Sequence, residues 1–172
     1  EYDLALYSNP TLQGNYILLH LLQTDIPANK WMHVTITMDG SISTRKLYLN
    51  GVLIDQNKWN YYPNEDFSLK LGHSTSYYAK NYWKGKIDEL KVWDHILTDE
   101  EIDKNVYRKL SGNESGLLGY WDFNQSCSSA VEDISSNGHN GILLNGVRRV
   151  QSTVPDYGKR VFPSKAGNTN IV

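Results

Sequence analysis

The sequence predicts an all-β domain, an antiparallel sandwich carrying one short helix, and three observations support that fold class. Short apolar-rich runs recur along the 172 residues and are broken by Gly, Asn, Asp and Pro. Two dipeptides that favour tight hairpin turns, Asp39-Gly40 and Asn50-Gly51, lie between such runs. The aromatic content is twelve Tyr, five Trp and three Phe, rings that pack well on pleated surfaces.

In order, residues 2–7, 15–22, 31–38, 46–49 with 52–54, 67–71, 83–93, 117–123 and 141–144 read as strands. The third alternates: Met32, Val34, Ile36 and Met38 take one face, and His33, Thr35 and Thr37 the other. One segment breaks the pattern. Thr98 followed by Glu101 forms a capping box, and Ile102, Val106 and Leu110 then fall at i, i+4 and i+8 on one apolar stripe. Ser111-Gly112 is expected to end that helix. Residues 151–172 are polar and contain Gly and Pro, as expected of a tail, linker or irregular final strand.

Composition excludes several classes of function. A formal net charge of -2 lacks the basic excess of a general nucleic-acid or membrane-surface binder. No apolar stretch approaches the roughly 18 residues needed to span a bilayer. The single cysteine, Cys127, excludes an internal disulfide framework and a multi-cysteine zinc site. The chain is long enough for one core, and Glu1 opens directly into strand-like sequence, as expected of a mature or excised piece.

From Trp31 onward a series of motifs appears in a fixed order. Trp31-Met32-His33-Val34 precedes Asp39-Gly40, and Leu47-Tyr48-Leu49-Asn50-Gly51 follows. Gly85-Lys86-Ile87-Asp88-Glu89-Leu90-Lys91-Val92-Trp93 comes next, and then Leu97-Thr98-Asp99-Glu100-Glu101-Ile102. This order resembles the concanavalin A-like, laminin G-like jelly rolls of the pentraxin-like bacterial type. Their signature is a W-x-H-V strand, a D-G turn, an L-Y-x-(N/D)-G hairpin, a G-x-I-D-E strand and an L-(S/T)-x-E-E-I helix. Further on, Gly119-Tyr120-Trp121-Asp122-Phe123 and residues 133–141 look like the strand and loop with which such a domain usually begins. Residues 30–56 are also similar, more weakly, to the jelly-roll half of clostridial neurotoxin receptor-binding regions.

The order of the halves departs from the family. Here the W-x-H-V half comes first and Tyr120-Trp121-x-Phe123 last, so the chain is expected to be permuted, or a fragment, or completed by another polypeptide. Residues 1–147 are therefore assigned to the jelly roll. Within them, 116–147 either close a permuted domain or begin a next repeat, and 148–172 form the tail.

The chemistry follows from spacing. Jelly-roll glycanases need two inward carboxylates on one strand, about 5–5.5 Å apart for a retaining mechanism. Asp88 and Glu89 are adjacent and point to opposite faces, Glu65 and Asp66 lie in a turn context, and Glu100 and Glu101 belong to the helix cap. No Gly-x-Ser-x-Gly elbow exists, and Cys127 sits in a loop as a bystander thiol. The chain is therefore expected not to be an enzyme. His33 reads as a hydrogen-bonded, half-buried imidazole.

Asp133, Asn137 and Asn140, with Ser135, offer hard oxygens in a Gly-containing loop that suits Ca²⁺. The resemblance implies that such a loop sometimes holds a structural calcium. The same residues also suit an Asx-turn loop held by its own side chains.

Two loops concentrate aromatics outside the alternating strands. Trp59, Tyr61 and Tyr62 form one, and His73, Tyr77 and Tyr78 lead to Tyr82 and Trp83 in the other. Flat rings beside Asn, His and Lys suit carbohydrate recognition, and the same rings also suit loop packing that plugs a sandwich. Trp31, Trp93 and Trp121 lie in signature strands and are assigned to the core. Together with the resemblance, this predicts non-catalytic recognition of a glycan or cell-surface glycoprotein. The setting would be a secreted or surface protein, with neighbouring domains of a larger polypeptide as further partners. The alternatives are an assembly domain of a toxin or adhesin without sugar binding, and a polysaccharide hydrolase.

Overall fold

Asn50 and Gly51 take φ of 49° and 82°, the two left-handed residues of a type I′ turn. They join β4 (Thr44–Leu49) to β5 (Val52–Lys58), as the dipeptide predicts. The computed structural model describes the backbone of residues 2–8 and 15–21, together with residues 29–58, 69, 71–72, 83–106, 108–125 and 129–154. Strand β1 (Tyr2–Ser8) pairs with β2 (Asn15–Leu21), and β3 (Val34–Asp39) adds to β4 and β5 in a three-stranded sheet. Further along come β6 (Leu90–Trp93), α1 (Asp99–Asn105), β7 (Leu117–Trp121), β8 (Ala130–Val131) and β9 (Gly141–Ile142). Every described pairing is antiparallel, and one helix interrupts the strands. The fold is the all-β jelly-roll class that the sequence predicts.

Several boundaries differ from expectation. Residues 31–33 lie outside β3, and 83–89 form an irregular approach to β6 in place of one long strand. Leu69 and Leu71 lie outside any strand, and the rest of the expected 67–71 strand is outside the described residues. The Asp39-Gly40 turn is not a two-residue hairpin. Four residues separate β3 from β4, and Asp39 Oδ1 accepts from Ser41 N, Ser41 Oγ and Ile42 N in an Asx turn.

Helix α1 begins as its sequence dictates. Thr98 Oγ1 accepts from Glu101 N and the Glu101 carboxylate accepts from Thr98 N, so both halves of the capping box are present. It ends earlier than the apolar stripe predicts, and Lys91 Nζ from β6 donates to the carbonyl of Asn105 at that end and to the carbonyl of Arg108 beyond it. Leu110 is therefore not on the helix.

The core has two parts. Tyr48, Leu97, Ile102 and Val106 form one cluster, which sets α1 against one face of β4, while Leu47 and Leu49 are buried on the other face. Leu110, Leu117 and Tyr120 form the second cluster, with Ile134 packed beside it. Trp93 is half-buried and packs against both. Trp31 and Trp121 are half-buried rather than fully interior.

Strand β7 pairs with β6 in the register Leu90↔Trp121, Lys91↔Tyr120, Val92↔Gly119, Trp93↔Leu117, which leaves Leu118 unmatched. Hence the Tyr-Trp segment, although last in sequence, adds to the strand that follows the G-x-I-D-E motif. Ser152 and Thr153 also contact this part of the chain. Ser152 Oγ donates to Asp88 Oδ2, and Trp31 Nε1 donates to Thr153 Oγ1 at 3.1 Å.

Candidate functional site

The segment leading into β6 presents Trp83 to solvent. Trp83 N donates to Gly72 O at 2.9 Å, which anchors the backbone, and the side chain stays 53 % exposed. Its indole lies along Gly85, where an added Cβ would sit 2.8 Å from Nε1 and 3.1 Å from Cε2. Any side chain at 85 would therefore displace the ring. Three residues further on, Lys86 Nζ donates to Thr153 Oγ1 at 3.4 Å, the same hydroxyl that holds Trp31. An exposed flat ring on a backbone bed, with a lysine and a hydroxyl on the adjoining segment, can stack an apolar sugar face and bind its hydroxyls. Of the eight residues expected to bind ligand, Trp83 is the one described. Trp59, Tyr61, Tyr62, His73, Tyr77, Tyr78 and Tyr82 lie outside the described residues, as does Cys127.

The expected metal-binding residues do come together, around a carboxylate already supplied with donors. Asp133 Oδ1 accepts from Tyr120 N and Ser135 N, and Oδ2 accepts from Ser135 Oγ and His139 N, all at 2.8–2.9 Å. Burial raises the Asp133 pKa, but these bonds outweigh burial and leave it below its ordinary value. Asn140 Oδ1 accepts from Asp133 N, and Asn137 Nδ2 donates to the carbonyls of Leu117 and Leu118. The Asp133 carboxylate and Asn140 Oδ1 thus face N–H and O–H groups. The donor set fits a self-stapled loop and fits calcium poorly, since ligation would forfeit these bonds. The loop fastens residues 133–140 to β7.

A buried polar cluster joins the two halves, and its assembly is not visible in the sequence. Glu89, at φ 56°, places Oε2 2.7 Å from the donating Tyr120 hydroxyl and 3.9 Å from Lys91 Nζ. Burial raises the Glu89 pKa and lowers that of Lys91, and burial with the Glu89 carboxylate keeps the Tyr120 phenol un-ionised. His33 is half-buried, with Thr35 Oγ1 3.3 Å from Nδ1. Burial and then the Lys91 charge bring its pKa down to about 4. The sequence signal that could have found this cluster is the pairing of a charged pair in one strand with a tyrosine in another. That pairing has meaning only once the register is known.

Most of the described carboxylates with a candidate role in the sequence are committed elsewhere. Asp88 accepts from Ser152 and from Glu89 N, Asp99 accepts from Tyr48 Oη, Glu101 caps α1, and Glu100 pairs with Lys104.

The chain matches the concanavalin A-like lectin/glucanases superfamily over residues 7–103 and belongs to it. Among solved structures, it resembles a candidate carbohydrate-binding protein from Bacteroides ovatus. That likeness has 21% identity and a TM-score of 0.57, and covers 74% of this chain and 37% of the other. An S-layer domain-containing protein from Clostridium thermocellum is similar over 52% of this chain and 44% of that one, at 25% identity and a TM-score of 0.41. The chain thus spans less than half the length of either. No curated protein matches it. These matches lend nothing to the similarity of residues 30–56 to the clostridial neurotoxins.

Proposed function

We propose that this chain is a non-catalytic carbohydrate-binding module acting at or outside the cell surface. The observation that carries the proposal is the exposed Trp83 indole bedded on Gly85, in a domain of a superfamily named for lectins and glucanases. The commitment of Asp88, Glu89, Glu100 and Glu101 to partners within the fold favours binding over hydrolysis, because a glycosidase needs one free acid and one free base or nucleophile. In this proposal Trp59, Tyr61, Tyr62, His73, Tyr77, Tyr78 and Tyr82 extend the Trp83 surface.

A glycan array read with Trp83→Ala tests it. Loss of one stacking ring is expected to weaken binding roughly tenfold, and Trp59→Ala, Tyr62→Ala and Tyr78→Ala are expected to weaken it further. Unchanged binding in all four variants removes the surface. Polysaccharide cleavage abolished by a carboxylate substitution would overturn the non-catalytic part.

One observation favours the second reading, a packing module. Ile142, Leu144, Val147 and Val150 follow one another along the C-terminal segment, all exposed, as expected of a face that meets a neighbouring domain. No binding to any glycan on the array would favour it.

A further inference from the structure

Strand β7 is held by a groove that is specific to it and by a latch that is local. The groove consists of the β6 edge, the Trp93 ring, Leu110 and the Glu89 carboxylate. It accepts Leu117 and a Tyr120 side chain that is 0% exposed, with the Tyr120 hydroxyl hooked to Glu89. The latch is Glu114. Its carboxylate accepts from Ser111 N at 2.9 Å, Ser111 Oγ at 3.1 Å and Gly112 N at 3.0 Å, and it meets Arg108 at 3.5 Å. These contacts fold residues 111–116 into the turn that returns β7 to its own chain, and Leu117 N closes it on Glu114 O.

We infer that the β6 edge is a strand-acceptor site whose second occupant is β7 of another copy of this chain. Opening the Glu114 turn lets residues 111–116 run straight. Two copies then exchange their segments from residue 117 onward and rebuild each groove with the partner's strand. All contacts are regained except those of the turn, so the turn sets the balance between the closed monomer and the exchanged dimer. Because the hook needs a tyrosine hydroxyl in register with Glu89, an identical chain is the partner that satisfies it. This inference concerns self-association and does not depend on sugar binding.

The test uses the full chain carrying Cys127→Ser, Leu90→Cys and Trp121→Cys, since Leu90 and Trp121 are register partners, with and without Glu114→Ala. Light scattering at millimolar concentration is expected to show the dimer association constant rising roughly tenfold with Glu114→Ala, as a multiply bonded carboxylate is lost from the closed turn. Oxidation of the isolated dimer is expected to give a covalent dimer on a non-reducing denaturing gel. An oxidised dimer that separates into monomers, or a Glu114→Ala chain that stays monomeric, overturns the inference. Should the cysteine chains not fold, the otherwise native Glu114→Ala chain refolded from denaturant supplies the test. Tagged and untagged copies refolded together must form mixed dimers that do not re-sort under native conditions. Free re-sorting or no dimer overturns the inference equally.

Discussion

Tyr120 concentrates much of this domain's chemistry in one side chain. Its ring fills the second core cluster, and its hydroxyl supplies the hydrogen bond that makes a buried Glu89 tolerable. Tyr120→Phe keeps the ring and leaves that carboxylate short of a donor, so a loss of about 1–3 kcal/mol is expected in urea unfolding, with an unchanged slope. His33 gives a pH signature. Its folded pKa of about 4 lies below the ordinary 6.5, so between those values the unfolded chain binds the extra proton. The His33 contribution is therefore fully present above pH 6.5 and lost as pH falls toward 4. With the ring partly open to solvent, the loss is on the order of 2 kcal/mol. Glu89 slopes the opposite way, because its raised pKa favours the folded state as it protonates. The comparison that isolates His33 is His33→Gln against wild type, and the variant's stability is expected to vary less across this window.

At the scale of elements, the short helix depends on its ends. Thr98 and Glu101 satisfy one another's backbone donors, and Lys91 donates from β6 to the carbonyl of Asn105 at the far end. Thr98→Ala is expected to cost about 1 kcal/mol in thermal or chemical unfolding. The loop of residues 133–140 is an element of the same kind, stapled by one carboxylate. Asp133→Asn removes charge from four hydrogen bonds and is expected to lower the melting temperature by several degrees, about 2 kcal/mol. Chelation by EDTA is expected to leave the melting temperature unchanged, and a fall on chelation would restore calcium to this loop.

The β4–β5 turn, the capping box and most strand positions were legible in the sequence, because each rests on neighbours a few residues apart. Asn50-Gly51 carries its own backbone preference, and Thr98 and Glu101 meet within one turn of helix. Two local expectations failed where distant groups intervened. Leu110 completes a helical stripe on paper, yet α1 ends at Asn105 and Leu110 joins Leu117 and Tyr120. Residues 83–89 read as part of a strand, yet Glu89 turns to φ 56° and its carboxylate meets Tyr120. Of the candidate site, Trp83 was legible as the end of an aromatic-rich segment, at the start of an expected strand. Its bed on Gly85 was not, because that contact is a property of the folded loop.

At the scale of the molecule, the sequence by itself determined an antiparallel jelly roll of the concanavalin A-like kind, with one capped helix and no catalytic carboxylate spacing. Periodicity, turn dipeptides and motif order are short-range properties, and these sufficed. It left open whether residues 116–147 close this domain or begin another. The tertiary structure decided that β7 lies against β6, with Tyr120 on Glu89 and Thr153 on Trp31. The physical reason is that strand pairing exchanges backbone hydrogen bonds, which every residue but proline can make. The choice of partner therefore depends on burial and on a few specific hooks, and both come into being only when segments about 30 residues apart or more meet.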